Sequence, residues 1–180
     1  ETKYRITLMS GEYCDMCDGT GGSGEFLTYT TPFTIPEDSC HLIEFYSIDN
    51  LGNEEITKYQ CVYVDNTPPE SVVAGQPQYR EAGPYETVVW FPVCWDGQDA
   101  KSGIANYLIE VKDDGVWEEW YTSESSGCKD YRGTVGQTYC FRSIATDNIG
   151  NIETPPEEGD TCTNIITFTF PINMYGEGWN

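Results

Sequence analysis

The sequence predicts an all-β fold in which two β-sandwich units follow one another along the chain. The pentapeptides Asp49–Asn53 (DNLGN) and Asp147–Asn151 (DNIGN) are nearly identical, and each follows a run of alternating apolar and polar residues. They lie 98 residues apart, counted from Asp49 to Asp147, which is about the length of one sandwich domain. The 18 glycines and 10 prolines separate short segments rich in Tyr, Thr, Val and Ile, and no segment sustains the 3.6-residue apolar period of a helix. A repeat of this length decides the fold class.

The first unit is predicted to cover residues 1–66. Period-two alternation of apolar and polar residues predicts its strands at 3–9, 25–30, 40–48 and 56–64. Asp65–Pro69 (DNTPP) is predicted to be the linker, because paired prolines cannot donate hydrogen bonds to a β-ladder and hold the backbone extended.

The second unit is predicted to cover residues 70–171 as a complete seven-stranded sandwich. Its strands are expected near 71–80, 86–95, 104–113, 116–122, 127–132, 138–146 and 162–170. In the strand before the second repeated turn, alternate residues share the core face: Tyr139, Phe141, Ser143 and Ala145. The 98-residue offset then assigns the first unit's core face to His41, Ile43, Phe45 and Ser47. The lone histidine is therefore expected to be a packed or hydrogen-bonded residue.

The charge of the chain limits its partners. Lys and Arg number 9 against 30 Asp and Glu, a formal net charge of −21, which repels phosphate backbones and anionic membranes. Nucleic-acid binding is thereby excluded, and direct membrane insertion is not expected, since no apolar run approaches the roughly 20 residues that cross a bilayer. A solvated surface, a bound cation or a basic partner would each suit such acidity.

Parts of both units resemble known families of secreted β-sandwiches. The stretch from Gly136 to Asn151, with Trp95, Ser102-Gly103-Ile104 and Tyr107 upstream, is similar to the fibronectin type III-like domains of secreted bacterial and archaeal proteins. The first unit, through Tyr29–Phe33 (YTTPF) and DNTPP, resembles the Ig-like surface repeats named after a leptospiral outer-membrane protein. The resemblance implies tandem Ig/fibronectin III-like β-sandwiches stapled by disulfides, at an extracellular or cell-surface location. It implies no particular activity, because such sandwiches host many functions.

The first unit departs from both families at its beginning. Its first predicted strand corresponds to the third strand of a complete sandwich, so two strands are lacking. Residues 172–180 (INMYGEGWN) are expected to be a tail, the start of a further repeat, or a donor strand. A sandwich without two of its strands leaves bare edges and an open core. The missing strands then lie outside this sequence or come from a neighbouring chain.

Eight cysteines beside one histidine and one CxxC fit no common zinc pattern and favour disulfides in an oxidising compartment. Cys140 and Cys162 lie on the strands flanking the second turn, where the resembled fibronectin-like domains often carry cysteines, and are predicted to pair. Three further pairs are predicted: Cys40–Cys61, nearly symmetric about the first turn, Cys94–Cys128 as outward-facing sheet neighbours, and Cys14–Cys17 as a local clip. An interchain link through Cys14 and Cys17 remains the alternative, while the acidic neighbours of these two residues disfavour a redox role.

The repeated turns have two interpretations. Asn and Gly tolerate positive φ, and an Asp side chain can accept hydrogen bonds from the turn backbone, which is a sufficient structural reason for the motif. Hard oxygen ligands also suit Ca²⁺. The loop that follows the second strand of the sandwich reaches the same end of the domain as the second turn, so a possible calcium site comprises Asp96, Asp99, Asp147 and Asn148.

The sequence favours a structural role over catalysis. It has no GxSxG motif and no Walker loop, and we expect no enzyme activity. We expect no cofactor other than the Ca²⁺ of the site described above. The predicted function is a non-catalytic module of an extracellular or cell-envelope protein, such as a surface layer, sheath, filament or adhesin stalk, with copies of itself or further repeats as partners. The alternative is a carbohydrate- or ligand-binding accessory module of a secreted enzyme, for which Trp117, Trp120 and Tyr121 are the candidate exposed aromatic residues.

Overall fold

The computed structural model describes residues 1–9, 14–113 and 115–167 and divides the chain into two compact units. Unit 1 comprises Glu1–Thr67 and unit 2 begins at Pro68, so the boundary falls inside the predicted linker. The all-β fold class is confirmed, because a single 3₁₀ turn is the one helical element among the described residues. Residues 168–180, which include the predicted tail and the predicted end of the second unit, lie outside the described residues.

Unit 1 is one antiparallel sheet of four strands in the order β2-β1-β3-β4. The strands are β1 (Thr2–Leu8), β2 (Leu27–Thr28), β3 (Ser39–Ser47) and β4 (Lys58–Val64). The central pair, β1 and β3, is in register over seven residues, with Tyr4 opposite Phe45 and Ile6 opposite Ile43. Because side chains alternate across a strand, these four residues share one face of the sheet, while Cys40 and Leu42 point to the other.

The face of the unit 1 sheet that carries Cys40 and Leu42 is covered by residues 14–24. The 3₁₀ turn Cys14–Met16 is bonded to this face by the disulfide Cys14–Cys40, and Cys17, just after the turn, is bonded to it by Cys17–Cys61. A Cβ on Gly22 would lie 1.7 Å from Glu44 Oε2, and one on Gly19 would lie 2.4 Å from the Tyr59 ring. A side chain at Gly22 would therefore displace the paired Arg5 and Glu44, and Gly19 combines its close approach with a positive φ that favours glycine.

Two of the four predicted cysteine pairings are wrong. In the β3–β4 register Cys40 lies opposite Tyr63 and Cys61 lies opposite Leu42, so Cys40 and Cys61 are two residues out of step and do not face each other. The Cys14–Cys17 clip is wrong as well, because each of these cysteines bonds to a different strand.

The two pairings predicted in unit 2 are present. Cys94 lies directly opposite Cys128, and Cys140 lies directly opposite Cys162; both pairs form disulfides.

Unit 2 is a sandwich of a three-stranded sheet, β10-β7-β5, and a five-stranded sheet, β6-β12-β11-β8-β9. Its strands are β5 (Glu70–Val73), β6 (Tyr79–Ala82), β7 (Val88–Gln98), β8 (Ile104–Lys112), β9 (Trp117–Ser123), β10 (Gly127–Thr134), β11 (Thr138–Asp147) and β12 (Thr161–Thr167). The segment predicted as one short strand near 71–80 is two strands, because the chain changes sheets between β5 and β6. Hydrogen bonds from Gln76 N to Thr161 Oγ1 and from Thr163 Oγ1 to Pro77 O hold the crossover.

The core of unit 2 lies between its two sheets. Phe91, Val93 and Trp95 of β7 pack against residues of the facing sheet that include Ile109, Phe141 and Ile165. Burial of Tyr131 beside the Phe91 and Phe141 rings raises the pKa of its hydroxyl to about 12.

No described helix is long and apolar enough to cross a membrane.

The repeated turns have the same geometry in both units. Oδ1 of Asp49 accepts hydrogen bonds from the backbone N–H of Leu51 and Asn53, and its Oδ2 accepts one from the Asn53 side chain. Asp147 is bonded in the same way by Ile149, Gly150 and Asn151. The fourth residue of each turn, Gly52 or Gly150, has a positive φ, which explains the glycine in both pentapeptides.

Candidate functional site

The main candidate site is an apolar face of unit 1 that faces no second sheet in the described residues. We call it the open face, and it consists of Tyr4, Ile6, Leu8, Ile43, Phe45 and Val62. All six residues are at least partly exposed, and Leu8 is 49% exposed. The buried hydrophobic residues of unit 1, within 1–9 and 14–67, are Cys40 and Leu42, and both lie on the opposite face.

Unit 2 shows what normally covers this face. The 98-residue offset and the β1–β3 and β8–β11 registers make Ile43 equivalent to Phe141 and Tyr4 equivalent to Ile109. Phe141 and Ile109 are both 0% exposed, because the sheet β10-β7-β5 packs over them, whereas Ile43 and Tyr4 remain partly exposed. Each unit therefore has its own copy of the same kind of sheet. In unit 2 a second sheet covers it, and in the described part of unit 1 none does.

The chain between β2 and β3 shows the same difference. In unit 2 the corresponding stretch, between β9 and β11, contains β10, which pairs with β7 over eight residues. In unit 1 residues 29–38 contain no strand, and nothing in the described part of that unit corresponds to β7. A strand needs a neighbour for its backbone hydrogen bonds, so the absence of a β7 equivalent accounts for the irregular backbone of residues 29–38.

An aromatic cluster closes one end of the open face. The rings of Tyr4 and Phe33 are stacked with centroids 4.7 Å apart, and Tyr29 packs edge-on to Tyr4 at 6.1 Å. A cavity of about 220 Å³ lies among these rings, Thr2, Ile43 and Phe45. The sequence predicts Ile43 and Phe45 on a core face but not this cluster. The period-two series Tyr4, Ile6 and Leu8 of β1 is the signal that could have located it.

His41 lies on the same side of the sheet as the open face, opposite Leu8 and Val62, but unlike them it is buried, with 2% exposure. Its Nδ1–H donates to the backbone carbonyl of Ser39, at 3.1 Å. This is the packed, hydrogen-bonded position that the sequence predicts.

The predicted calcium residues come together only in part. In unit 2 a carboxylate oxygen of Asp99 and one of Asp147 lie within 4.8 Å of each other. Oδ2 of Asp99 accepts hydrogen bonds from the N–H of Lys101 and Gly103, while its Oδ1 is buried with no hydrogen-bond partner among the described residues. An unsatisfied buried carboxylate oxygen is costly, and a cation between the two carboxylates would satisfy it.

The other two predicted calcium residues are placed differently. Asp96 is exposed on the outer face of β7, where its Oδ1 accepts a hydrogen bond from Gly97 N. It alternates with the inward-facing Trp95, so its side chain points away from the core. The Asn148 amide donates to the carbonyls of Ser102 and Gly103, which is a structural role.

Burial and hydrogen bonding act on Asp147 in opposite directions. Burial of the carboxylate disfavours its charged form, but hydrogen bonds from Asn151, Gly150 and Ile149 outweigh that effect and hold its pKa below the ordinary value for Asp. Asp147 is therefore a fixed negative charge close to the Asp99 carboxylate.

The candidate sugar-binding aromatics do not form an exposed strip. Trp117 is held between Lys112 and Arg142, which lie 4.8 and 4.2 Å from its ring, and its Nε1 donates to the Glu157 carbonyl. Trp120 and Tyr121 pack on the core of unit 2. A shift of register between β8 and β9 beside Ile109 turns these consecutive residues toward the same side. Trp90, on the outer face of β7, is 63% exposed, whereas Trp95 is 4% exposed.

No protein-family model matches the sequence. No curated protein matches it either. Among solved structures the chain is similar to the fibronectin(III)-like modules of CbhA from Clostridium thermocellum, with a TM-score of 0.45 and 13% identity over 72% of this chain and 64% of that chain. The match thus spans less than two thirds of that chain.

Proposed function

We propose that the chain is a non-catalytic structural module of an extracellular or cell-envelope protein, in which strands from outside the described residues complete unit 1. The observation that carries the proposal is the open face. The complete sandwich in the same chain buries Ile109 and Phe141 fully, while unit 1 leaves their equivalents, Tyr4 and Ile43, partly exposed to water. Exposed apolar faces of this kind mark interaction surfaces.

The location proposed for the module rests on its disulfides and charge. The eight cysteines form four disulfides, and such bonds persist in oxidising environments outside the cytoplasm. The net charge of −21 suits a solvated surface layer, sheath, filament or adhesin stalk. The alternative, a carbohydrate-binding accessory module, has less support because Trp117, Trp120 and Tyr121 are engaged in packing.

A substitution in the open face tests the proposal. We expect the 1–180 chain to associate in a concentration-dependent manner, and Ile6→Glu to weaken that association at least tenfold, because it places a charge on an apolar contact surface. The matched control is Ile56→Glu, at a loop position that is 88% exposed, which should leave association unchanged. Sedimentation equilibrium measures both variants. Equal association of Ile6→Glu and the parent chain would contradict the proposal.

A further inference from the structure

We infer that residues 168–176 of a second copy supply the strand that covers the open face, in the position that β7 occupies in unit 2. This inference rests on the proposed function and names the partner for the same surface. Its basis is an internal sequence similarity, the exposure of the acceptor, and the chemistry of the donor segment.

The donor segment repeats the sequence of β7. Residues 170–176 read FPINMYG and residues 91–97 read FPVCWDG. The phenylalanine, the proline and the glycine are identical at the same spacing, and Ile172 replaces Val93. The strand of unit 1 that is equivalent to β12 is β4, and it is followed by the DNTPP linker, which breaks the apolar alternation. The similarity to β7 is therefore found after β12 and not after β4.

The apolar positions of the segment match those that β7 buries. In unit 2 Phe91 is 2% exposed, Val93 0% and Trp95 4%, and Val89 packs beside them. The equivalent residues after β12 are all apolar: Phe168, Phe170, Ile172 and Met174. A strand carrying them would present one continuous apolar face, because alternate residues point the same way.

The outward positions of the segment also suit a strand in this place. Pro171 matches Pro92, which β7 accommodates in register with Asp130 of β10. Gly176 matches Gly97, where a Cβ would lie 2.7 Å from the Glu70 carbonyl oxygen. Residues 168–176 carry no charged side chain, so they meet no like-charge repulsion from a chain of net charge −21.

Unit 1 offers matching contacts. In unit 2 the ring centroids of Phe91 and Phe141 lie 6.1 Å apart. With Ile43 equivalent to Phe141, Phe170 of the second copy takes the position of Phe91 above Ile43. Residues 29–38 then gain the backbone partner that β10 has in β7. This is strand addition that completes a sandwich, in which main-chain hydrogen bonds contribute affinity and alternate side chains contribute specificity.

Pairing between copies joins two different surfaces of the chain. The donor lies after β12 and the acceptor is in unit 1, so they are different surfaces and their pairing is head-to-tail, which extends into a linear series.

Two full-length variants test the inference together. Ile172→Glu disables the donor and leaves the open face intact, while Ile6→Glu does the reverse. We expect each variant alone to associate at least tenfold more weakly than the parent chain, and an equimolar mixture to form a 1:1 dimer, since one intact donor then meets one intact face. Asn173→Glu is the control for the donor, because it adds the same charge on the opposite side of the strand and should leave association unchanged.

A peptide experiment separates a binding effect from misfolding. A synthetic peptide of residues 168–176, added to the Ile172→Glu chain, should slow amide hydrogen exchange in β3 and in residues 29–38. The same peptide carrying Ile172→Glu should have no effect.

The outcomes distinguish this inference from the proposed function. If Ile6→Glu abolishes association but Ile172→Glu does not, another partner occupies the face; the inference fails and the proposed function stands. If the parent chain stays monomeric and its unit 1 loses exchange protection on Ile172→Glu, the segment binds its own chain, which overturns the pairing between copies. If neither substitution changes association or exchange, both proposals fail.

Discussion

Arg5 and Glu44 in unit 1 occupy the same cross-strand position as Glu110 and Arg142 in unit 2, with the charges exchanged. Arg5 Nε lies 2.5 Å from Glu44 Oε2, and Arg142 Nε lies 2.6 Å from Glu110 Oε2. In each unit the guanidinium also lies over an aromatic ring, that of Phe26 at 4.6 Å or of Trp117 at 4.2 Å. The position therefore requires a paired charge and is indifferent to which strand supplies the cation.

Charge reversal tests this equivalence. Arg5→Glu or Glu44→Arg alone should lower the free energy of unfolding of unit 1 by about 2 kcal/mol, because a partly buried charge loses its hydrogen-bonded partner. The double variant should recover most of that loss, since it recreates the arrangement of unit 2. Chemical denaturation followed by hydrogen exchange in β3 measures the effect on unit 1.

The exposed pair Lys58–Glu55 provides the control for the reversal experiment. Lys58→Glu should change stability by less than about 0.5 kcal/mol, as expected for a surface ion pair. A double variant as unstable as the sum of its parts would show that the two positions are not equivalent.

At the scale of elements, the two DN-x-GN turns have the same internal hydrogen bonds but different surroundings. Asp49 is exposed, whereas Asp147 is 2% exposed and lies close to the carboxylate of Asp99, which has one unsatisfied oxygen. The pentapeptide alone therefore explains the turn, and any cation binding depends on the loop that carries Asp99.

Added calcium tests the second turn. We expect millimolar Ca²⁺ to raise the melting temperature of the chain, because a ligand that binds only the folded state stabilises it by mass action. Asp99→Asn should remove most of the gain, since it removes a charged ligand without disturbing the hydrogen bonds within the turn. Asp49→Asn, in the equivalent turn of unit 1, should leave the gain intact. Equal gains in the parent chain and Asp99→Asn would assign both turns a purely structural role.

The strands were predictable from sequence because period-two alternation depends only on neighbouring residues. The strand β3, for example, is predicted at 40–48 and found at Ser39–Ser47. The pairing of Cys94 with Cys128 was predictable for the same reason, since two long regular strands carry it. The pairing of Cys40 was not, because it depends on the β3–β4 register and on the path of residues 14–17 across the sheet. Both are set by long-range packing.

Part of the candidate site followed from the sequence as well. The absence of a second sheet from the described part of unit 1 could be anticipated, because its repeated turn fixes the correspondence with unit 2; the sequence predicts that two strands are lacking, whereas β5, β6, β7 and β10 all have no equivalent there. Asp96 was misassigned because a loop position alone does not say whether a side chain points inward, and a single residue of register reverses it. Trp120 and Tyr121 were misassigned because the irregularity in β9 changes the alternation locally.

At the scale of the whole molecule, each unit contains its own disulfides, and they close large loops. The bonds Cys17–Cys61, Cys94–Cys128 and Cys140–Cys162 enclose 44, 34 and 22 residues. A pulling force applied at the two ends passes through these covalent bonds and bypasses the enclosed chain. While these bonds are intact, about 100 residues cannot extend, which corresponds to about 350 Å of chain at roughly 3.5 Å per residue.

We therefore expect the disulfides to limit the length to which the chain extends under tension. Single-molecule stretching should give a contour length about 350 Å greater after reduction than before it. Cys94→Ser with Cys128→Ser, which opens the 34-residue loop alone, should recover about a third of that difference without any reductant. A contour length unaffected by reduction would show that these bonds do not lie on the path of the force. The same bonds that hold loops against sheets would thus fix the maximum reach of each copy in a stalk or filament.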